Sequence, residues 1–296
     1  MSTEIIKFYA EDGVELDGFV NKGTKKTDNV LIEIHGMTSN CFKKREKLIA
    51  ETVEKIGVDS ICFNNRGSEI AKYIKYYGEK KAIAGMAYEN VEESYNDILG
   101  AIKYAVKLGY KNIYIQGHSL GSTKTVYTYN KMKNENNEYL KYIKGIILLS
   151  LVDIPRLFRI VSKSQFLKYA LEKEKKKLDL ELMPAESFIH PISVKTYLQY
   201  TKYNNSINFA KYHEKKYEYK ELNNIDIPLF MRWGNNMEFI EQKADKLVEL
   251  LNERIKNKDK DISFIDGANH SYDEKEEVLA DQIKEFMENV EKRHID

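Results

Sequence analysis

Lys111-Asn112-Ile113-Tyr114-Ile115-Gln116 runs directly into Gly117-His118-Ser119-Leu120-Gly121, and a helical pattern continues to about Met132. An Ile- and Tyr-rich run, a turn and then helical periodicity read as strand, sharp turn and helix. The turn spells G-x-S-x-G. With 15 glycines in 296 residues, chance supplies roughly 0.04 such matches. Position matters more than rarity here. A tight strand-to-helix turn lifts a serine hydroxyl above the sheet edge, and flanking glycines let neighbouring backbones pass close. The helix N-terminus then offers free N–H groups and a positive dipole end to an oxyanion. Ser119 is the candidate nucleophile.

On both sides of this stretch the chain alternates strand and helix. Two period-2 segments, Glu4 to Ala10 and Val14 to Val20, flank Glu11-Asp12-Gly13 and read as a hairpin. Strands are expected at Val30–His35, Val58–Phe63, Gly145–Leu151, Ile227–Trp233 and Ile262–Ile265. Helices are expected at about 42–56, 91–108 and 274–290, and one after Ile227–Trp233 running to about Ile255; the first two are stopped by Gly57 and Gly109. Gly145–Leu151 is a continuous apolar run, as a strand buried on both faces should be. The expectation is an α/β fold with a mostly parallel sheet flanked by helices.

Residues 154–224 break the rhythm with helical stretches and no strand. They carry a solvated Lys/Glu-dense run, Leu171 to Leu178, and the aromatics Phe158, Phe166, Tyr169, Phe188, Tyr197, Tyr200, Tyr203 and Phe209. A helical insertion after the sixth strand reads as a cap, residues 154–224, on a core made of 1–153 and 225–296. Its aromatics serve either its own packing or a substrate pocket wall.

A serine nucleophile needs a base, an orienting carboxylate and oxyanion donors. His270 lies in Asp266-Gly267-Ala268-Asn269-His270-Ser271, directly after the last strand, where a loop can bring an imidazole to the serine. His190, His213 and His294 are weaker candidates, and His35 and His118 are expected to serve through their backbones. Two carboxylates compete to orient His270: Glu238, after Ile227–Trp233, and Asp153, after Gly145–Leu151. Glu238 is preferred for its longer reach, and Asp153 has an alternative use as the cap of the next helix. His35-Gly36-Met37 ends the third strand, so the N–H groups of Met37 and Leu120 are the expected oxyanion donors.

Charge and composition exclude other classes. Lys plus Arg is 47 and Asp plus Glu is 46, a formal net charge of +1, so no global pull on nucleic acid or anionic membrane is expected. The longest apolar run, Gly145 to Val152, is too short to span a bilayer. No signal peptide pattern opens the chain, and two cysteines, Cys41 and Cys62, without CxxC fit a reducing cytoplasm. No metal-ligand spacing or phosphate loop is present, and Arg66 reads as structural.

Together the hairpin, His35-Gly36, Asn65-Arg66-Gly67, the Ser119 elbow and Gly267-Ala268-Asn269-His270 resemble the α/β-hydrolase superfamily along nearly the whole chain. Gln116 to Gly121 and Arg232 to Ile240 are similar to a subgroup of poorly characterised bacterial hydrolases, itself similar to a fungal family that includes siderophore-ester hydrolases. The resemblance implies a Ser-acid-His acyl hydrolase with no metal and no cofactor. One departure stands out: the superfamily's usual acid position is Met237 here, and the carboxylate comes one residue later, at Glu238. The expected activity is hydrolysis of a carboxylic ester or thioester, a small-molecule acyl substrate, with oligomeric state left open. An amide- or peptide-cleaving hydrolase such as an aminopeptidase, using acids such as Glu181, Glu186 and Glu214, is the alternative within the class. A catalytically silent binding protein is the alternative outside it.

Overall fold

A computed structural model describes residues 1–77, 80–202, 206–214 and 216–293; Tyr203 and His294 lie outside the described residues. The chain opens with a hairpin, β1 (Ser2–Tyr9) and β2 (Glu15–Lys22), turning at Gly13, whose φ of +86° suits glycine. Then come β3 (Asn29–Ile34), α1 (Lys44–Glu54), β4 (Asp59–Asn64), the short pair β5 (Lys72–Lys75) and β6 (Lys81–Ala84), and α2 (Ser94–Lys107). The elbow region is β7 (Asn112–His118) and α3 (Leu120–Asn134), followed by β8 (Ile143–Leu149). Four helices separate β8 from the next strand: α4 (Ile154–Val161), α5 (Ser164–Lys175), α6 (Val194–Thr201) and α7 (Lys220–Asn223). The chain closes with β9 (Leu229–Gly234), α8 (Ala244–Arg254), β10 (Lys260–Ile265) and α9 (Glu276–Arg293).

Eight strands form one sheet in the order β1-β2-β4-β3-β7-β8-β9-β10. Only the β1–β2 and β2–β4 pairs are antiparallel; the six strands from β4 to β10 run parallel. Alternate residues feed two cores. Val30, Ile32, Ile34, Ile113, Ile115, Ile146, Leu148, Met231 and Trp233 pack with α2, α3 and α8 on one face. Leu31, Tyr114, Ile147, Leu149 and Phe230 pack with α1 and α9 on the other. Burial on both faces explains why these strands read as unbroken apolar runs. The expected α/β architecture is therefore present.

Two features depart from the expected element list. The β5–β6 hairpin is new; its four-residue strands are too short for a period-2 pattern to stand out, and Ile74 and Ala84 tuck into the core with Ala82 packed against it. Between β8 and β9, the aromatics mostly pack on one another. Phe158 stacks on Phe188 at 4.4 Å and meets Tyr200 at 5.0 Å, while Tyr197 and Tyr200 are buried. Among the described residues no helix is long and apolar enough to cross a membrane.

A buried ion pair ties α3 to this segment. Lys124 and Glu89 are both fully buried and in contact. Lys124 Nζ also donates to Asn65 Oδ1 at 3.1 Å, and the Tyr200 hydroxyl and Thr196 Oγ1 on α6 donate to Glu89 Oε2 and its carbonyl. Removing one partner strands a buried charge, so Lys124→Met should cost about 3–5 kcal/mol in urea unfolding. A cost below about 1 kcal/mol would mean the pair is hydrated in solution.

Candidate active site

Glycine contacts build the turn at Ser119. A β-carbon at Gly121 would stand 2.2 Å from the Ile34 carbonyl oxygen, and one at Gly117 would stand 2.4 Å from the Gly121 carbonyl oxygen. Neither position admits a side chain. Ser119 itself has φ 55° and ψ −120°, a conformation that non-glycine residues rarely adopt, and its N–H donates to the Leu149 carbonyl at 2.8 Å. Because α3 begins at Leu120, that residue's amide has no intrahelical acceptor. The loop after β3 comes alongside: a β-carbon on Gly36 would lie 3.0 Å from Ser119 Cβ. Among the described residues, neither the Met37 nor the Leu120 amide donates to a protein acceptor.

The loops after β9 and β10 are fastened together before they present any side chain. A β-carbon on Gly234 would meet the Ala268 carbonyl oxygen at 2.1 Å. Asn236 N–H donates to that same carbonyl at 2.9 Å, and Gly267 N–H donates to Asn235 Oδ1 at 2.8 Å. This juxtaposition brings Glu238 to His270, with Oε1 accepting from His270 Nδ1. With the proton on Nδ1, the other ring nitrogen, Nε2, is left as an acceptor.

Glu238 is more fully anchored than a search for carboxylates alone could indicate. Its side chain is 2 % exposed. Oε2 accepts from Gly234 N–H at 3.0 Å and from the Ser150 hydroxyl at 2.8 Å. Burial pushes the carboxyl up, but the hydrogen bond and charge of His270, with the donors from Gly234 and Ser150, outweigh it and hold it below its ordinary value. Ser150 has one proton and also lies 3.0 Å from the Tyr272 hydroxyl, which donates to the Arg232 carbonyl. The carboxylate is the strongest acceptor in reach, so it takes the serine proton. Asp153 does not meet His270. It caps α4, accepting from Arg156 N–H at 3.1 Å, and pairs with His213 at 3.1 Å.

His118 contributes more than backbone. Burial, then the nearby Arg45 cation and His270, push its pKa well down, so the ring is neutral. Its Nε2 lies 2.7 Å from the His270 carbonyl, which can only accept, so Nε2 carries the proton and holds the His270 loop against the elbow. His35 likewise works through its ring: it is buried and neutral, with its pKa lowered to about 3 by burial and the Lys124 charge, and its Nε2 accepts from Asn65 N–H at 3.2 Å. Neither Ser150 nor the ring of His118 has a signal in sequence, because both act across strands distant in the chain.

Ser119 and His270 open into one cavity of about 480 Å³, within the range of small-molecule sites. Gly36, Met37 and Thr38 line it on one side. Ile154, Leu157, Val161, Phe188 and Ile189, from the segment between β8 and β9, line it on another. Of the described aromatics expected there, Phe188 reaches the cavity, beside the aliphatic Ile154, Leu157, Val161 and Ile189 from the same segment. Glu181, Glu186 and Glu214 do not line it; Asp273 and Glu276 do, and Glu276 is paired with Lys44 at 3.0 Å. Cys41 and Cys62 are buried free thiols, and Arg66 is held by Asp12, Glu93 and Asp97. Among the described residues no group of His, Cys, Asp and Glu has the geometry to hold a metal ion.

A mostly parallel sheet, a serine at a strained strand-to-helix turn and a histidine after the last strand define the α/β-hydrolase fold, and the chain has it. Two of the solved structures similar to it are the esterase Est1E from Butyrivibrio proteoclasticus (TM-score 0.66, 18% identity, 97% of this chain and 98% of that one) and an esterase from Pyrococcus furiosus (0.61, 16%, 97% and 91%). A third is the α/β hydrolase GrgF from Penicillium sp. sh18 (0.66, 15%, 98% and 99%). No family model matches the sequence and no curated protein is similar to it.

Because folding holds the Glu238 carboxyl below its ordinary value of 4.5, its charged form contributes stability above that pH. The contribution is lost as pH falls through the lower, folded value. Urea unfolding of wild type beside Glu238→Gln should therefore show the difference moving in favour of the glutamine variant as pH drops below 4.5. A difference independent of pH would contradict the assignment.

Proposed function

We propose that the protein is a serine hydrolase of carboxylic esters or thioesters, with Ser119, His270 and Glu238 as its triad. The observation that carries this reading is the Glu238 carboxylate on His270 Nδ1, in a loop beside a Ser119 elbow that opens into the same cavity. Ser119 Oγ attacks the acyl carbon as His270 Nε2 takes its proton. The N–H groups of Met37 and Leu120 receive the oxyanion, and Glu238 stabilises the imidazolium. His270 then protonates the departing group, and water, activated by the same base, releases the acyl-enzyme. Residues 154–224 act as a cap that supplies the aliphatic side chains Ile154, Leu157, Val161 and Ile189 to the cavity. Esterases among the structural neighbours support an ester substrate. Peptide cleavage with recognition of a free amine has less support, since the acids expected for it lie off the cavity.

A fluorophosphonate probe should label wild type at Ser119, and Ser119→Ala should lose p-nitrophenyl ester turnover by several orders of magnitude while keeping its fold. Unchanged turnover by Ser119→Ala would end this reading. Glu238→Gln should lose about three orders of magnitude in kcat, while Asp153→Asn stays within a few-fold of wild type; the reverse order would give the acid's role to Asp153. Ser150→Ala, which removes one donor from Glu238, should lower kcat about tenfold and leave KM unchanged, measured with the same ester.

A further inference from the structure

Beside the cavity that holds Ser119 is a second, of about 280 Å³. Leu157 and Phe239 line both, so they form the partition between two chambers. The second chamber has apolar walls at Ile160, Ile240 and Tyr212. Polar groups stand in it too: His213 paired with Asp153, Arg156 paired with Glu241, and Gln242. Gln242 Nε2 is buried and without a hydrogen-bond partner. An amide N–H in that position costs free energy until an oxygen meets it, and a turn of the Gln242 side chain toward the chamber it lines would offer that N–H to an acceptor there.

The chemistry gives the chamber a direction. His270 returns its proton to the departing oxygen, so the leaving alcohol lies on the His270 side of the acyl carbon. The acyl oxygen points instead to the amides of Met37 and Leu120. Phe239 packs edge-on against His270, with ring centroids 4.5 Å apart. The way past Phe239 thus starts beside the ring that serves the alcohol oxygen.

Building on the esterase reading, we propose that the second chamber is the subsite for the alcohol moiety. Its substrates are esters of extended alcohols that carry an acceptor oxygen beyond an apolar span. Leu157 and Phe239 are the passage, Ile160 and Ile240 the apolar walls, and Gln242 the donor to the far oxygen.

Two ester series test this: acetates of ethanol, butanol, octanol and octane-1,8-diol, and ethyl esters from acetate to octanoate. In wild type, kcat/KM should rise at least tenfold from ethyl to octyl acetate, since each buried methylene is worth about fourfold. Ile240→Trp, which fills the second chamber, should abolish that rise and leave the rise along the acyl series. Ile160→Trp, at a half-exposed position, should do the same and guards against misfolding at Ile240. Gln242→Leu should cut the advantage of the diol ester over octyl acetate about tenfold. A flat alcohol profile in wild type, or a tryptophan variant that alters the acyl series instead, overturns the proposal. Calorimetric binding of octane-1,8-diol to Ser119→Ala separates it from the parent reading. Diol binding that Ile240→Trp removes supports the chamber even if no ester is turned over, a result that sinks only the hydrolase. Ester turnover with a flat alcohol profile and no diol binding sinks only the chamber.

Discussion

The site depends on backbone approaches too close for any side chain. At Gly121 the start of α3 lies against the Ile34 carbonyl, and at Gly234 the end of β9 lies against Ala268. The first contact sets the Ser119 turn beside the loop after β3, where the free amides are. The second sets the Glu238 loop beside the His270 loop. Neither approach depends on a partner side chain that could move away, so these distances are as rigid as the sheet from which both loops spring.

Around that frame, polar groups fix the orientation of each member. His270 is gripped through both ring and backbone: Nδ1 by Glu238, its carbonyl by His118. Glu238 in turn has four donors on two oxygens, the fourth being Phe239 N–H. In the proposed triad, this is what lets an acid serve from one residue later than the usual pattern. Met237 takes the customary position but is 75% exposed with φ 46°, so the loop turns its side chain outward there. The next residue turns inward, and the additional methylene of glutamate spans the difference. Gly234 N–H and Ser150 then hold a longer, more flexible side chain to one rotamer, as a shorter aspartate would not require.

Much of this was legible in the sequence, and the exceptions have a common cause. Strands buried on both faces announce themselves as apolar runs, and glycines mark where they stop, so their succession along the chain could be read directly. Ser119 stood out because its motif is local. His270 and Glu238 could be placed at the correct sheet edge because each follows a strand. The choice between Glu238 and Asp153 turned on reach and on the capping alternative, both properties of short segments. Ser150, the ring of His118 and the partition of Leu157 and Phe239 were not legible. Each acquires its role only when strands far apart in sequence are laid side by side. The aromatics between β8 and β9 could be read two ways, and Phe158, Phe188, Tyr197 and Tyr200 pack on one another.

Each of the six parallel strands is followed, within seven residues, by a non-glycine residue with positive φ: Thr38, Glu69, Ser119, Ser150, Met237 and Tyr272. Such a conformation costs about 1–2 kcal/mol per residue, and the net stability of a folded domain is only about 5–15 kcal/mol. One edge of the sheet thus holds a conformational debt comparable with the stability of the whole molecule, and the two hydrophobic cores carry it. Glycine at several of these positions would relieve the strain and raise the melting temperature, while loosening the loops that aim the site. Thermal robustness and the alignment of Ser119, His270 and Glu238 draw on the same edge, so a more heat-resistant form of this protein is better sought in its cores and outer helices than there.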